Sequence, residues 1–223
     1  MTQDPKQLEA IYRKRFSGSS AYRDRVWRVL VEEFFQRYVP GDASVLDLGC
    51  GHGEFINHVA ARVKYGMDLN PASGRLLARE VRFLEQDCAT PWPLPDGSLD
   101  VVFTSNFLEH LPDKPSLVDT FEQAGRCLRP GGSFVAVGPN IRCLPGAYWD
   151  FFDHQLPLTE LSMCEGLQQH GFEIQVCRRR FLPYTMSDGR EYPIALLRAY
   201  LALPVLWRLL GRQFLVVAVR RPG

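Results

Sequence analysis

The chain has 223 residues with 26 basic and 25 acidic side chains, a net charge of +1 that leaves no electrostatic footprint for nucleic acid. Its 46% hydrophobic and 23% charged content fits one globular domain with a sizeable core and excludes a disordered or fibrous chain. The N-terminus lacks a basic-then-apolar leader pattern, and the six cysteines (Cys50, Cys88, Cys127, Cys143, Cys164 and Cys177) show no C-x-x-C spacing. Reduced, mostly buried thiols, no metal site and a cytoplasmic location are therefore expected.

Residues 5–17 read as a first helix carrying Leu8, Ile11, Tyr12 and Phe16. A stronger helix is predicted over 20–38, because Trp27, Leu30, Val31, Phe34, Phe35 and Tyr38 recur at helical spacing on one wide stripe. Pro40 and Gly41 end it. Strands are then predicted near 43–48, 63–68, 81–85, 99–104, 132–138, 172–180 and 213–220. Helices are predicted near 53–61, 71–79, 114–128 and 158–170. In the helix over 114–128, Leu117, Phe121, Ala124 and Leu128 share one face, and Gly131 supplies a C-terminal stop. Such alternation implies an α/β fold, a doubly wound and mostly parallel seven-stranded sheet with right-handed crossovers and both faces covered. Ligands bind such sheets at the carboxyl ends of the strands.

Three of those strands end in an acid: Asp47, Asp68 and Asp87. After Asp47 comes Gly49-Cys50-Gly51-His52-Gly53-Glu54, a glycine turn that lets a ligand lie against bare peptide. A phosphate-gripping dinucleotide loop would place a third glycine where Glu54 stands. An acid at the strand tip repels phosphate and holds ammonium or hydroxyl groups, directly or through water. The loop therefore suits a nucleoside-like ligand without a pyrophosphate. Asp68 follows it by about 20 residues, where a doubly wound fold presents a carboxylate to ribose hydroxyls. Asn70 reads as a helix cap with Pro71 at the first helical position.

Asp47-x-Gly49-x-Gly51-x-Gly53 resembles the first motif of class I S-adenosylmethionine (SAM) dependent methyltransferases, with companions at the family's distances. Tyr65 to Asn70 resembles the second strand end and Phe83 to Cys88 the third. Asp100 to Asn106 resembles the fourth strand, and Leu128 to Gly132 the turn before the fifth. The resemblance covers roughly residues 43–181 motif by motif. It implies a Rossmann-like methyltransferase fold with an antiparallel last strand, and SAM as cofactor. It assigns Gly49 and Gly51 to the amino-acid end of SAM, with Asp47 orienting the loop or holding the ammonium through water. Asp68 falls to the ribose, Leu69 to the adenine face and Asp87 to the adenine amino group. Cys88 borders that same motif, and Ser105 borders the methionine end. Within the family, the chain is similar to small-molecule enzymes of a bacterial subgroup.

Glu109 and His110 follow the fourth strand, and His110 is a candidate general base. Tyr148-Trp149-Asp150-Phe151-Phe152-Asp153-His154 follows the fifth. It offers an aromatic substrate wall from Tyr148 and Trp149, with Asp150 or His154 as base. Tyr184 is a further substrate candidate, and Tyr12, Arg13 and Arg15 are placed to fold over the cofactor. The chain reads as a single domain over 1–223 with an N-terminal helical cap over 1–40. An apolar segment over 182–213 precedes the last strand. Arg198, Arg208 and Pro204 interrupt that segment, which fits two short helices better than a membrane span. It serves as a lid, as a homodimer face, or as a peripheral membrane contact through 193–210. The expected activity is methyl transfer from SAM to a small-molecule acceptor, with oxygen of a saccharide or natural-product-like molecule favoured. No Asn-Pro-Pro-Tyr-like motif follows the fourth strand, which argues against amino methylation of nucleobases. A non-catalytic SAM-binding scaffold or sensor of the same fold is the alternative, and a nicotinamide oxidoreductase is disfavoured by Asp47 and Glu54.

Overall fold

Residues 20–184 and 191–222 are described by a computed structural model of the chain. The expected helix over 5–17, with Tyr12, Arg13 and Arg15, lies outside these residues. Seven strands form one sheet: β1 (Ser44–Leu48), β2 (Val63–Asp68), β3 (Val81–Glu85), β4 (Leu99–Ser105), β5 (Leu128–Pro139), β6 (Phe172–Arg178) and β7 (Gln213–Arg220). Their order is β3-β2-β1-β4-β5-β7-β6. The pairs from β3 through β5 are parallel, and β7 runs antiparallel to both β5 and β6. This is the expected Rossmann-like methyltransferase sheet with its reversed last strand.

Side chains alternate across a strand, so β1 and β4 feed two cores. Val45, Val101 and Phe103 face one side with Phe34, Phe35 and Phe181. Leu46, Leu48 and Val102 face the other with Phe121, Phe134 and Phe172. Every residue of β1 is buried, as a central strand covered on both faces requires.

Helix α1 (Ser20–Glu33) ends five residues before the predicted boundary, and a 3₁₀ turn (Phe35–Tyr38) follows. At Phe34 the backbone leaves helical geometry (φ −131°, ψ −59°). A continuous helix would splay consecutive side chains apart. The break lets both phenylalanines enter one core, Phe34 at 4.5 Å from the Phe181 ring and Phe35 at 5.1 Å from the Phe103 ring. Phe34→Ala is expected to lower stability by about 3–5 kcal/mol in urea unfolding, the cost of an aromatic-sized cavity.

The helices predicted near 53–61 and 71–79 do not form; the first is a series of turns and the second a 3₁₀ turn (Ser73–Arg75). The first keeps two isolated i→i−4 bonds, from Asn57 to Gly53 and from Val59 to Phe55, that do not extend into a helix, and side chains take backbone groups at its end and in the second segment. Asn57 donates to the Leu76 carbonyl and accepts from the Ala78 N–H, stitching the two segments together. Gln36 does the same at Ala60. Helix α2 (Lys114–Cys127) begins at Asp113, whose carboxylate accepts from the Ser116 N–H at 2.9 Å. It runs into β5 without a break, so Gly131 (φ +78°) turns inside the strand's first residues instead of ending the helix. Helix α3 (Glu160–Gln169) starts with a reciprocal Thr159–Ser162 cap.

The apolar segment before β7 forms two short helices, α4 (Ile194–Ala202) and α5 (Pro204–Leu210). They lie over the α1 side of the sheet. Tyr200 donates its hydroxyl to the Phe181 carbonyl, and the Trp207 indole N–H donates to the Tyr200 carbonyl at 2.8 Å. Arg198 pairs with Glu33 of α1 at 2.6 Å. Leu196, Leu203, Val205, Leu209 and Leu210 point outward, each at least half exposed. Among the described residues no helix is long and apolar enough to cross a membrane.

Candidate functional site

The carboxyl ends of β1, β2, β3 and β4 meet around the glycine turn. Gly49, Gly51 and Gly53 have φ of +72°, +51° and +75°, backbone that other residues adopt only with strain. The N–H groups of Gly49 and Cys50 both donate to the Met67 carbonyl on β2. A Cβ on Gly49 would lie 2.2 Å from Cγ of Phe107, so that ring rests directly on bare backbone.

Asp68 does more than its strand-end position suggests. Its two carboxylate oxygens accept from the Gly51 N–H at 2.9 Å and the Asn70 N–H at 2.8 Å, bracing the loop from below. Asn70 in turn accepts from the Ala72 N–H ahead of the 3₁₀ turn over Ser73–Arg75, whose N-cap is Ala72 with no side-chain bond, so Asn70 is not the helix cap expected of it. Glu54, the residue that breaks the dinucleotide pattern, pairs with Arg23 of α1. The α1 helix thereby pins the turn, a role the sequence does not reveal because the partners are 31 positions apart.

Asp47 is buried under the turn, where its carboxyl accepts from the Ile56 N–H. Burial pushes its pKa from 3.8 to about 8, with the nearby Asp68 charge adding to the rise and the Ile56 bond opposing it. Burial also raises Asp68, against its backbone hydrogen bonds. Two adjacent buried acids resist ionisation together. Since Asp47 holds its proton more tightly folded than unfolded, its stabilising contribution is complete below about pH 4 and is lost as pH rises toward 8. Urea unfolding of the ligand-free protein should therefore show stability falling between pH 5 and 8, and Asp47→Asn should flatten that slope. An equal slope in both proteins would remove Asp47 as its source.

A cleft of about 240 Å³ opens above this base, lined by Gly49, Asp68, Leu69, Asp87, Cys88, Phe107 and His110 among others, with no lysine or arginine in its wall among the described residues. Asp87 accepts from the Ala89 N–H at 2.9 Å. The Cys88 thiol receives a hydrogen bond from Thr120, and burial pushes its pKa up to about 12, so it is a small space-filling group and not a nucleophile. At the end of β4, Asn106 adopts φ +49° and donates to the Ser105 hydroxyl at 3.0 Å. Its carbonyl oxygen Oδ1 is buried without a hydrogen-bond partner. An orphaned acceptor beside the glycine turn costs about 1–3 kcal/mol until a donor arrives.

These features fit SAM. The glycine turn presents bare backbone to the cleft, and Asp68 and Asp87 in its wall present carboxyl groups able to accept from hydroxyl and amino donors. The acidic lining suits a cation and repels a pyrophosphate.

Beyond the cleft, the loop after β5 is held by a buried polar knot: Asn140 donates to Glu160 at 2.6 Å, and Arg142 pairs with the same carboxylate. The loop then docks on the turn after β4, where the Glu109 carbonyl accepts from the Gln155 and Leu156 N–H groups. This contact joins the two sequence-distant candidates. The His110 and His154 rings lie 5.1 Å apart. His110 Nδ1 meets the Asp153 carbonyl at 3.0 Å and its carboxylate at 3.3 Å. Asp153, set apart by its neighbour relation to His154, thus serves the other histidine. His154 Nδ1 meets the Tyr148 carbonyl at 2.8 Å, and its ring stacks on Phe151, which meets Tyr184 edge-on.

Not every expected wall residue faces open space. Tyr148 is fully buried and donates its hydroxyl to the Leu156 carbonyl, so it is a pillar of the loop and not a substrate surface. Trp149 is 53% exposed at the rim, and Asp150 is exposed beside it, away from the histidine pair's hydrogen bonds. Thr185 and Met186, which follow Tyr184, lie outside the described residues.

Comparison with known proteins agrees with this geometry. The methyltransferase domain family matches residues 20–176. A probable SAM-dependent methyltransferase of Mycolicibacterium smegmatis is 36% identical over 138 residues, 59% of this chain and 52% of that protein. A probable chloroplastic tocopherol O-methyltransferase of Oryza sativa is 33% identical over 138 residues, 54% of this chain and 37% of that one. The chain thus spans about half the length, or less, of these curated relatives. A solved SAM-dependent methyltransferase from Archaeoglobus fulgidus shares the fold, with TM-score 0.67 and 21% identity over 95% of this chain and 99% of that one. With the family matching more than half of its length and the glycine turn, acids and sheet order all in place, the chain belongs to the class I SAM-dependent methyltransferases.

Proposed function

We propose that the chain transfers the methyl group of SAM to a hydroxyl oxygen of a small acceptor, a saccharide or natural-product-like molecule. The observation that carries this reading is the pairing of the cofactor cleft with an imidazole-rich, aromatic rim. His110 lines the cleft itself, and ring contacts run from it through His154 to Phe151 and on to Tyr184. A hydroxyl must lose its proton as its oxygen is alkylated, and a histidine oriented by Asp153 suits that task near neutral pH. Aromatic rims suit sugar faces and apolar ring systems alike. Relatives' names include both oxygen- and nitrogen-methylating enzymes, so they do not decide the atom.

When bound, SAM supplies an electrophilic methyl on a sulfonium. The chain's own residues supply the rest: Asp68 and Asp87 hold the nucleoside, Gly49 and Gly51 receive the amino-acid end, and His110 faces the acceptor. Holding two reactants in line contributes up to ~7–11 kcal/mol of barrier reduction. The test is release of S-adenosylhomocysteine (SAH) against panels of saccharides, phenols and amines, with mass spectrometry of the product to locate the methyl group. A methyl ether supports the reading. A methylated amine, or turnover on amines alone, overturns it.

A further inference from the structure

One cluster of ligating side chains joins His110 of the cleft wall to the buried Glu109 and His154. Among the described residues, Glu109, His110 and His154 are the group able to hold a metal ion, their ligand atoms within 4.8 Å of one another. We propose that these three residues form a binding site for a divalent transition-metal ion beside the cofactor cleft. The inference deepens the proposed function, because the ion would lie where the acceptor is read to enter.

The second, independent observation is how the two rings are held. A backbone carbonyl can only accept, so His110 Nδ1, at the Asp153 carbonyl, and His154 Nδ1, at the Tyr148 carbonyl, must each carry the proton. With Nδ1 committed to these carbonyls, Nε2 is the ring nitrogen left to ligate. Metal-ligating histidines are oriented this way, the remote N–H given to a carbonyl or carboxylate that fixes the tautomer. Here both rings have such a partner, and Asp153 adds a carboxylate at 3.3 Å from His110 Nδ1.

Two imidazoles and one carboxylate suit zinc, iron, cobalt or nickel better than calcium or magnesium. Such an ion, about 2.1 Å from each ligand, draws them to roughly 3–3.5 Å of one another. The present spacing of up to 4.8 Å needs closure of roughly 1–2 Å to reach that geometry. Three protein ligands leave positions open, the pattern of catalytic and not structural sites. An acceptor hydroxyl bound there is acidified, as metal-bound water is. Its proton passes to water, its oxygen bonds to the methyl carbon, and the electrons of the broken S–C bond stay on sulfur, leaving SAH neutral at that atom. With the ion in place, His110 is a ligand and the proton leaves by solvent instead of by the ring.

The test is titration of chelator-treated protein with cobalt(II), followed by visible absorption and calorimetry, with SAH binding measured separately in the same preparations. One cobalt per chain at micromolar affinity or better, with ligand-field bands and no thiolate charge-transfer band, is expected. His154→Gln and Glu109→Gln should each weaken it by at least tenfold to a hundredfold, and Asp153→Asn by about tenfold. Circular dichroism checks the fold; if His154→Gln unfolds, His110→Gln carries the comparison. No cobalt binding, binding untouched by these changes, or a thiolate band reporting Cys164 and Cys177 would each overturn the metal site. Normal SAH binding in that case leaves the methyltransferase reading standing. Cobalt binding without SAH binding would do the reverse.

Discussion

Gly49→Ala should abolish most cofactor binding and lower stability by roughly 2–4 kcal/mol. Two penalties add. The position has φ +72°, where an L side chain carries about 1–3 kcal/mol of strain. The new Cβ would also fall 2.2 Å from Cγ of Phe107 and 2.7 Å from its Cβ. Those are atoms at the root of the side chain, so a rotation of the ring cannot clear them. Phe107 has to move as a unit, and overpacking of this sort costs about 1–3 kcal/mol. For a domain of this size the melting temperature should fall by about 5–15 °C. SAH affinity should drop more than tenfold, because a displaced Phe107 and a distorted turn occupy the amino-acid end of the cleft. Gly146→Ala is the control: a Cβ there meets nothing within 4 Å, and the change should fall within about ±0.5 kcal/mol. If Gly49→Ala behaved like Gly146→Ala, the turn would be only a turn.

Asp68→Ala should weaken SAH binding by about tenfold to a hundredfold in calorimetry, with NADH silent throughout. It should also destabilise the ligand-free protein, because the Gly51 and Asn70 N–H groups lose their acceptor. Each buried donor left so costs about 1–3 kcal/mol. Asp68→Asn separates the two roles. Its amide keeps one acceptor oxygen but turns an NH₂ toward the second N–H, so part of the bracing survives while the paired acceptor for ribose hydroxyls is gone. Lost stability with unchanged SAH affinity in both variants would make Asp68 a brace and nothing more.

The unequal success of the sequence has physical causes. Most strand bounds were legible to within two residues, because a buried parallel strand writes itself as a short apolar run; β5 begins four residues earlier than expected. The glycine turn was legible because it is local in sequence, and Asp68 and Asp87 because each closes an apolar run. The segments after Gly53 and Pro71 were misread as helices: the first makes only isolated helical bonds, and Asn57 and Gln36 side chains take backbone groups at Leu76, Ala78 and Ala60. Phe34 and Phe35 were misread as one helical stripe, since their shared destination beside Phe181 is a tertiary fact.

The sequence by itself determined the fold class, which follows from hydrophobic period and the alternation of strands and helices, and its motifs from Asp47 to Gly132 resemble those of class I SAM-dependent methyltransferases, which implied the family and the cofactor. Only the tertiary structure decided that Asp68 braces the loop it serves, that Glu54 is held by Arg23, and that Tyr148 is a pillar. It alone brought His110, Asp153 and His154 together, across more than forty positions, through the hydrogen bonds that dock one loop on the next. Contacts of that range depend on where the chain returns, and no local pattern encodes them.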